Sequence, residues 1–308
     1  MPSVQLPDFA SSRVYSDEIV RRRVDACPKL ASLESINRAL LELLASDRSM
    51  ASQIASIIRR DPSLSARLLR MVNSVYFGLA GPVHNLEEAV IVLGLRQIRE
   101  LATTTPVLEE LERINHAGPK GLPWRELWRH SIGTAILTRE ILSSAHGQSD
   151  NDTHYLVGLL HNIGKVVMAS SFPEELTWLM SQSADDTATF AAEERRLIGW
   201  DHARIGAHYL RRHNLPEEIA EAVEYHNAPG RAPEHQVLAA AAQVADCLAR
   251  YCGISSGFET VPPVAKDGWQ ELEGWRILYG TDSADFDDAH AALAHAVRDL
   301  PDLLATLL

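Results

Sequence analysis

The residues of this chain best suited to chemistry near neutral pH are its histidines, and several of them fall on patterned positions. His130 is followed by Gly133, Thr134, Leu137 and Ile141, so at helical spacing it lies on a small, apolar stripe. His161 has Val157, Gly158, Gly164 and Met168 around it at the same spacing, and it too points inward. His202 shares a face with Ile205, Gly206 and Tyr209, and His226 with Ile219, Ala222 and Val223. Asp246 sits among Ala239, Ala242 and Ala249 in an alanine-rich stretch. Burying that many imidazoles costs free energy unless each finds a hydrogen bond or a metal ion. One inward histidine is ordinarily a hydrogen-bonded core residue, and Asp246 has a ready ion-pair partner in Arg250, four residues on. The residue pattern therefore leaves two readings open: a satisfied polar core, or a metal or anion site inside a helix bundle. If a metal, neutral imidazole nitrogen and carboxylate oxygen suit Zn, Fe, Mn or Ni rather than a sulfur-loving ion.

The elements that must position these groups are helical nearly throughout. Leu33, Ile36, Leu40, Leu43 and Leu44 form one face over residues 32–46, and Ile54, Ile57 and Ile58 repeat the pattern over 49–60. Asp61-Pro62 opens a further helix with an N-cap acid and a proline where no backbone N–H is needed. Ala89, Val90, Leu93 and Ile98 mark another over 86–101. The Gly- and Pro-rich stretch 116–123 separates this first block from a second, with helices expected near 124–144, 152–170, 186–197, 200–213, 216–227 and 234–252. Short helices around 269–278 and 286–297 follow a loop-like stretch, 253–267. No alternating apolar and polar run requires a strand, so the expected fold class is all-α, a multi-helix bundle.

Composition narrows the function classes. The chain has 308 residues, 46% hydrophobic, which suffices for a sizeable core. Its 29 Lys and Arg against 41 Asp and Glu give a formal charge of -12, which disfavours a sequence-independent grip on nucleic acid or on an anionic membrane. Cys27, Cys247 and Cys252 show no CxxC pairing, and Cys247 and Cys252, five apart in an apolar stretch, read as reduced core thiols. The first ten residues lack the basic and apolar regions of a signal peptide, and no run reaches the ~18 apolar residues of a membrane span. A cytoplasmic protein without membrane insertion is expected.

Two sets of motifs carry a family resemblance. His130, the pair His161-Asn162 in LVGLLHNIGK, and Asp246 in QVADCLA resemble the H…HD…D framework of the HD superfamily of metal-dependent phosphohydrolases. His202 and His226 fall where the related HD-GYP group has further metal ligands. The stretches CPKLASL, DPSLSARLLRMVNSVYFG, HNLEEAVIVLGLRQIREL and ERRLIGWDH, with Ile205-Gly206-Ala207 and Leu215-Pro216, closely resemble the HDOD domain, over roughly residues 23–252. The resemblance implies an N-terminal helical block, 23–118, packed on an HD-like block, 122–252, with a lead-in of 1–22 and a helical tail of 253–308. It also implies a bacterial signal-transduction output or adaptor protein. Its partners would be signalling proteins of two-component or cyclic dinucleotide pathways, with no direct nucleic-acid contact and with a nucleotide or metal ion as a further candidate ligand. Trp269 and Trp275 in the tail are candidate exposed contact points, although tryptophans there more often simply pack the tail.

The chain departs from the hydrolase pattern at Asn162, where the HD pair has an aspartate that ligates metal and bridges two ions. An amide carries no charge and bridges two dications poorly. The implied ligand set is His130, His161, Asn162, His202, His226 and Asp246, vestigial or weak, holding one divalent ion or none. No catalytic residue is expected in this reading. The alternative is a metal-dependent phosphohydrolase or phosphodiesterase acting on a nucleotide or cyclic dinucleotide. Only there would Lys165, which matches a phosphate-assisting lysine of HD-GYP enzymes, do chemistry; otherwise it is expected to lay its stem on the core and keep its charge in water. No GYP tripeptide occurs, and Asn227 stands where HDOD relatives often have a second histidine. Asn73, Ser74, Tyr76 and Phe77 are distinctive of the HDOD pattern, as a recognition surface or simply as a helix end bonding free backbone groups.

Overall fold

A computed structural model describes residues 15–27, 50–59, 122–146, 152–182, 187–213, 215–258 and 271–280, together with parts of 65–98 and of 293–304. Among the described residues every regular element is helical, as the periodicity predicts, and no helix is long and apolar enough to cross a membrane. The chain divides into two compact units. Met1–Lys29 and Ile114–Ala294 form the first, and Leu30–Arg113 with His295–Leu308 the second.

In the second unit, the helix Ala51–Ile58 (here α2) buries Ile54, Ala55 and Ile58, and a helical stretch at 86–95 buries Leu86, Ala89, Val90 and Leu93. Asn73 donates from Nδ2 to the carbonyls of Leu69 and Val83, at 2.8 Å each, and its Oδ1 accepts from Val83 N at 2.7 Å. Its side chain thus bonds backbone at a helix end. Ser74, Tyr76 and Phe77 lie outside the described residues.

The first unit opens with α1 (Asp17–Asp25), capped by Ser16. The long helix α3 (Trp124–His146) then packs on both α4 (Asp152–Leu160) and α10 (Gln236–Tyr251). Between these lie α5 (Ile163–Ser171), α6 (Pro173–Ser181), α7 (Thr187–Ile198), α8 (His202–Arg212) and α9 (Glu217–Tyr225). Finally α11 (Glu273–Tyr279) packs on α10.

Several sequence expectations need correction. The single helix expected over 152–170 is two, α4 and α5, broken at His161-Asn162. The apolar pattern runs through this break because both helices bury nearly all of their faces, so periodicity does not register a change of axis. Two helices were unforeseen. One is α6, started by Pro173 at its first turn with Glu174 and Glu175 matching the helix dipole. The other is α1, which is too polar on average to read as a core helix but buries Val20 and Val24. Trp275 is not an exposed contact point: it is 1% exposed and stacks near Tyr279 with ring centroids 4.2 Å apart. Trp269 falls outside the described residues, as does most of the helix expected around 286–297. Cys247 is buried and Cys252 half-buried, and neither forms a disulfide.

Candidate functional site

The site is set by where helices begin, end and approach. Gly164 near the start of α5 faces the start of α8, and a Cβ there would lie 2.6 Å from the carbonyl carbon of His202 and 2.9 Å from Gly206 N. Only glycine lets the two backbones come this close, and the approach brings the His161 turn beside His202. Asp201 caps α8 by accepting from Arg204 N at 2.9 Å, which makes His202 its first residue. The chain reaches this point from α7 through Gly199, at φ 99°, a left-handed conformation that glycine adopts without strain. That turn folds Glu194 of α7 back onto His202. At the far side, the buried Glu221 accepts from the backbone N–H groups of Glu234 and His235, both at 2.7 Å, fixing the start of the helix that carries Asp246.

All six sequence-predicted site residues are buried. His130 donates from Nδ1 to the carbonyl of Ile254 at 2.8 Å, and His161 from Nδ1 to the carbonyl of Gly158 at 2.6 Å. Both rings therefore aim Nε2 at the centre, 3.2 Å apart. Asp246 Oδ1 lies 2.9 Å from His130 Nε2 and 3.8 Å from His161 Nε2. Three such acceptor atoms in contact need a positive centre among them, either a proton on His130 Nε2 or a metal ion. The donor set fits one divalent ion: His130, His161 and Asp246 each offer one ligand atom, all within 4.8 Å of one another, on side chains already anchored elsewhere.

The other groups complete or restrain this centre. Asn162 Nδ2 lies 2.7 Å from His161 Nε2; an amide nitrogen can only donate, so it occupies the lone pair that a metal would use. Asp246 Oδ2 accepts from Arg250 Nη2 at 2.6 Å, the ion pair expected from their spacing. The imidazoles form a row, with centroids 5.2 Å apart for His130 and His161, 5.4 Å for His161 and His226, and 5.6 Å for His226 and His202. His226, just past the end of α9, donates from Nδ1 to the carbonyl of Val223 at 2.7 Å. Glu194 Oε2 accepts from both His202 Nδ1, at 2.6 Å, and His202 N, at 2.8 Å. Among the described residues, neither His202 Nε2 nor Glu194 Oε1 has a hydrogen-bond partner, although both are buried.

Sequence reasoning missed Glu194 as a site residue. The available signal was an acid with Ala191, Leu197 and Ile198 at helical spacing, an inward position for a carboxylate. It also misjudged Lys165. That side chain is fully buried, not snorkelling, with Nζ 5.6 Å from the Phe190 ring centroid and 5.7 Å from that of Phe258. Both rings come from elements distant in sequence, and they close over the ammonium and attract it through their faces. Asn227 is exposed, and its carbonyl accepts from Gln243 Nε2 at 3.3 Å.

Electrostatics follow the geometry. Burial, then the neighbouring imidazoles of His130 and His226, hold His161 well below the ordinary 6.5. Burial, then His202, pushes His226 down to about 4. Burial opposes ionisation of Asp246, but Arg250 and His130 outweigh it and keep the carboxyl well below the usual carboxylate range. A histidine depressed in the folded state stabilises the fold above its unfolded pKa, and that stability is lost as pH falls toward the folded value. His226 alone is expected to remove about 2 kcal/mol from the metal-free protein between pH 7 and pH 5. Urea unfolding at the two pH values checks this, and a flat profile would contradict it.

The comparisons with known proteins agree with this architecture. The sequence model of the HDOD domain matches residues 30–229. An uncharacterised protein of Treponema pallidum (strain Nichols) is 28% identical over 242 residues, 78% of this chain and 45% of the relative, so the chain spans about half of that relative's length. Among solved structures, an HDOD domain protein of unknown function from Geobacter sulfurreducens superposes with a TM-score of 0.74 at 21% identity, covering 94% of this chain and 96% of the other. A Shewanella amazonensis protein provisionally named a phosphohydrolase gives 0.64 at 22% identity, covering 94% and 98%. A Marinobacter aquaeolei protein provisionally named a signal transduction protein gives 0.65 at 22% identity, covering 99% and 67%. At such identities the structural likeness speaks for the fold. The domain match spans well over half of the sequence, and the chain belongs to the HDOD domain family.

Proposed function

We propose that this chain is a non-catalytic output or adaptor module of bacterial signal transduction, with a degenerate HD-type site at its centre. The observation that supports this most directly is Asn162. It stands where related hydrolases carry the metal-bridging carboxylate, and its amide donates to His161 Nε2 at 2.7 Å. His130, His161 and Asp246 are the residues that would hold a single Fe, Mn, Zn or Ni ion, with His202 and His226 further along the row. An ion held there would supply Lewis acidity and an acidified water. With no carboxylate at 162, the pairing of two ions that activates such a water has lost its bridge. The protein then acts by binding: signalling proteins of two-component or cyclic dinucleotide pathways at its surface, and a nucleotide as a further candidate at the site.

The convergence of three ligand atoms and the buried Lys165 favour a second reading, a metal-dependent phosphohydrolase or phosphodiesterase. One experiment separates the two. Protein purified without chelator is analysed for metal and assayed with bis-p-nitrophenyl phosphate and added Mn. The binding reading expects less than one metal per chain and no turnover, with metal binding gained in Asn162→Asp. Robust turnover that disappears in His161→Ala would overturn it. For the partner, affinity capture from the native bacterium is expected to enrich two-component, cyclase or phosphodiesterase proteins.

A further inference from the structure

On both the histidine and the carboxylate side of this centre, an atom that a metal would use already has a donor from the chain itself. His161 Nε2 takes the Asn162 amide at 2.7 Å, and Asp246 Oδ1 lies 2.9 Å from His130 Nε2. Asp246 Oδ2 takes Arg250 Nη2 at 2.6 Å, and the Arg250 side chain is itself only 17% exposed. Arg250 also reaches back along α10, with Nε 3.4 Å from the carbonyl of Asp246. A guanidinium held on both the carboxylate and the backbone of one residue is a fixed, permanent positive charge.

We propose that Arg250 is a resident cation that weakens metal binding at the centre and limits it to one ion. Its guanidinium takes the second oxygen of Asp246 and so limits the carboxylate to one bond with any ion. It also places a positive charge beside any dication that enters. This rests on the reading of His130, His161 and Asp246 as the ion-holding set. Asn162 and Arg250 then act on opposite sides of the same centre. The amide caps the histidine side and the guanidinium caps the carboxylate side, and together they close it against a pair of ions. A charge-assisted hydrogen bond to a buried carboxylate is worth enough that its removal should tighten a competing cation roughly tenfold or more.

The test is Mn and Zn binding by titration calorimetry on the full chain, for the unmodified protein and for Arg250→Gln, Arg250→Lys and Asn162→Asp. Arg250→Gln is expected to bind metal roughly tenfold tighter than the unmodified chain. Arg250→Lys keeps the charge and is expected to stay as weak as the unmodified chain. The double variant with Asn162→Asp is expected to take up a second equivalent. If circular dichroism shows that Arg250→Gln has lost helix, Arg250→Met, which keeps the aliphatic stem, carries the same expectation. Unchanged or weaker binding in the uncharged variants overturns the proposal, because Arg250 would then merely orient Asp246. That failure differs from failure of the degenerate-site reading, which would show as two tightly held ions in the unmodified chain.

Discussion

Gly164→Ala is expected to cost about 3 kcal/mol or more, enough to lower the melting temperature steeply or abolish folding of the first unit. The added Cβ would fall onto the backbone of His202, 2.6 Å from its carbonyl carbon, and 2.9 Å from Gly206 N. Neither obstacle is a side chain that can turn aside. The helices α5 and α8 would have to separate, and with them the close approach of Ile163 and Gly164 to Gly206 would loosen. A glycine inside a helix ordinarily gains stability on replacement by alanine, by about 1 kcal/mol, so the sign of the measured change is decisive. Thermal and urea unfolding of the variant give the answer. A stability equal to or above that of the unmodified chain would show that the α5–α8 contact is less tight than described.

Glu194→Ala is expected to destabilise by about 2–4 kcal/mol, since it strips two buried donors of one shared acceptor. Those donors are His202 Nδ1, at 2.6 Å, and His202 N, at 2.8 Å, and Glu194 is itself fully buried. The loss is larger than that of an exposed helix cap because no water replaces the carboxylate. Glu194→Gln keeps one acceptor oxygen and is expected to recover roughly half of the loss. The two variants also differ at the site. Without an acceptor at Nδ1, the His202 ring is free to rotate or change tautomer, which the nitrogen chemical shifts of its imidazole would report. If Glu194→Ala unfolds like the unmodified chain, the pair is not a positioning contact.

What the sequence by itself determined is which faces turn inward. Helical spacing placed His130, His161, His202, His226 and Asp246 on apolar stripes, and all five are buried. It determined the all-helical class and the Arg250–Asp246 pair, because i,i+4 contacts are written in local order. It also determined that no charge stands at 162.

The tertiary structure decided the rest, because it depends on groups far apart along the chain. The break at His161-Asn162 was invisible to periodicity. It is held by the His161 bond back to the Gly158 carbonyl and by the glycine contact with α8. The fate of Lys165 turned on Phe190 and Phe258, distant in sequence, closing over its ammonium. Glu194 became part of the site only when the turn at Gly199 folded α7 back onto α8. Most telling is the ligand geometry itself. Periodicity fixes the face a side chain occupies to within a fraction of a turn. Which atom of a ring faces the centre is set by a carbonyl such as that of Ile254, on a loop that no helical pattern reaches.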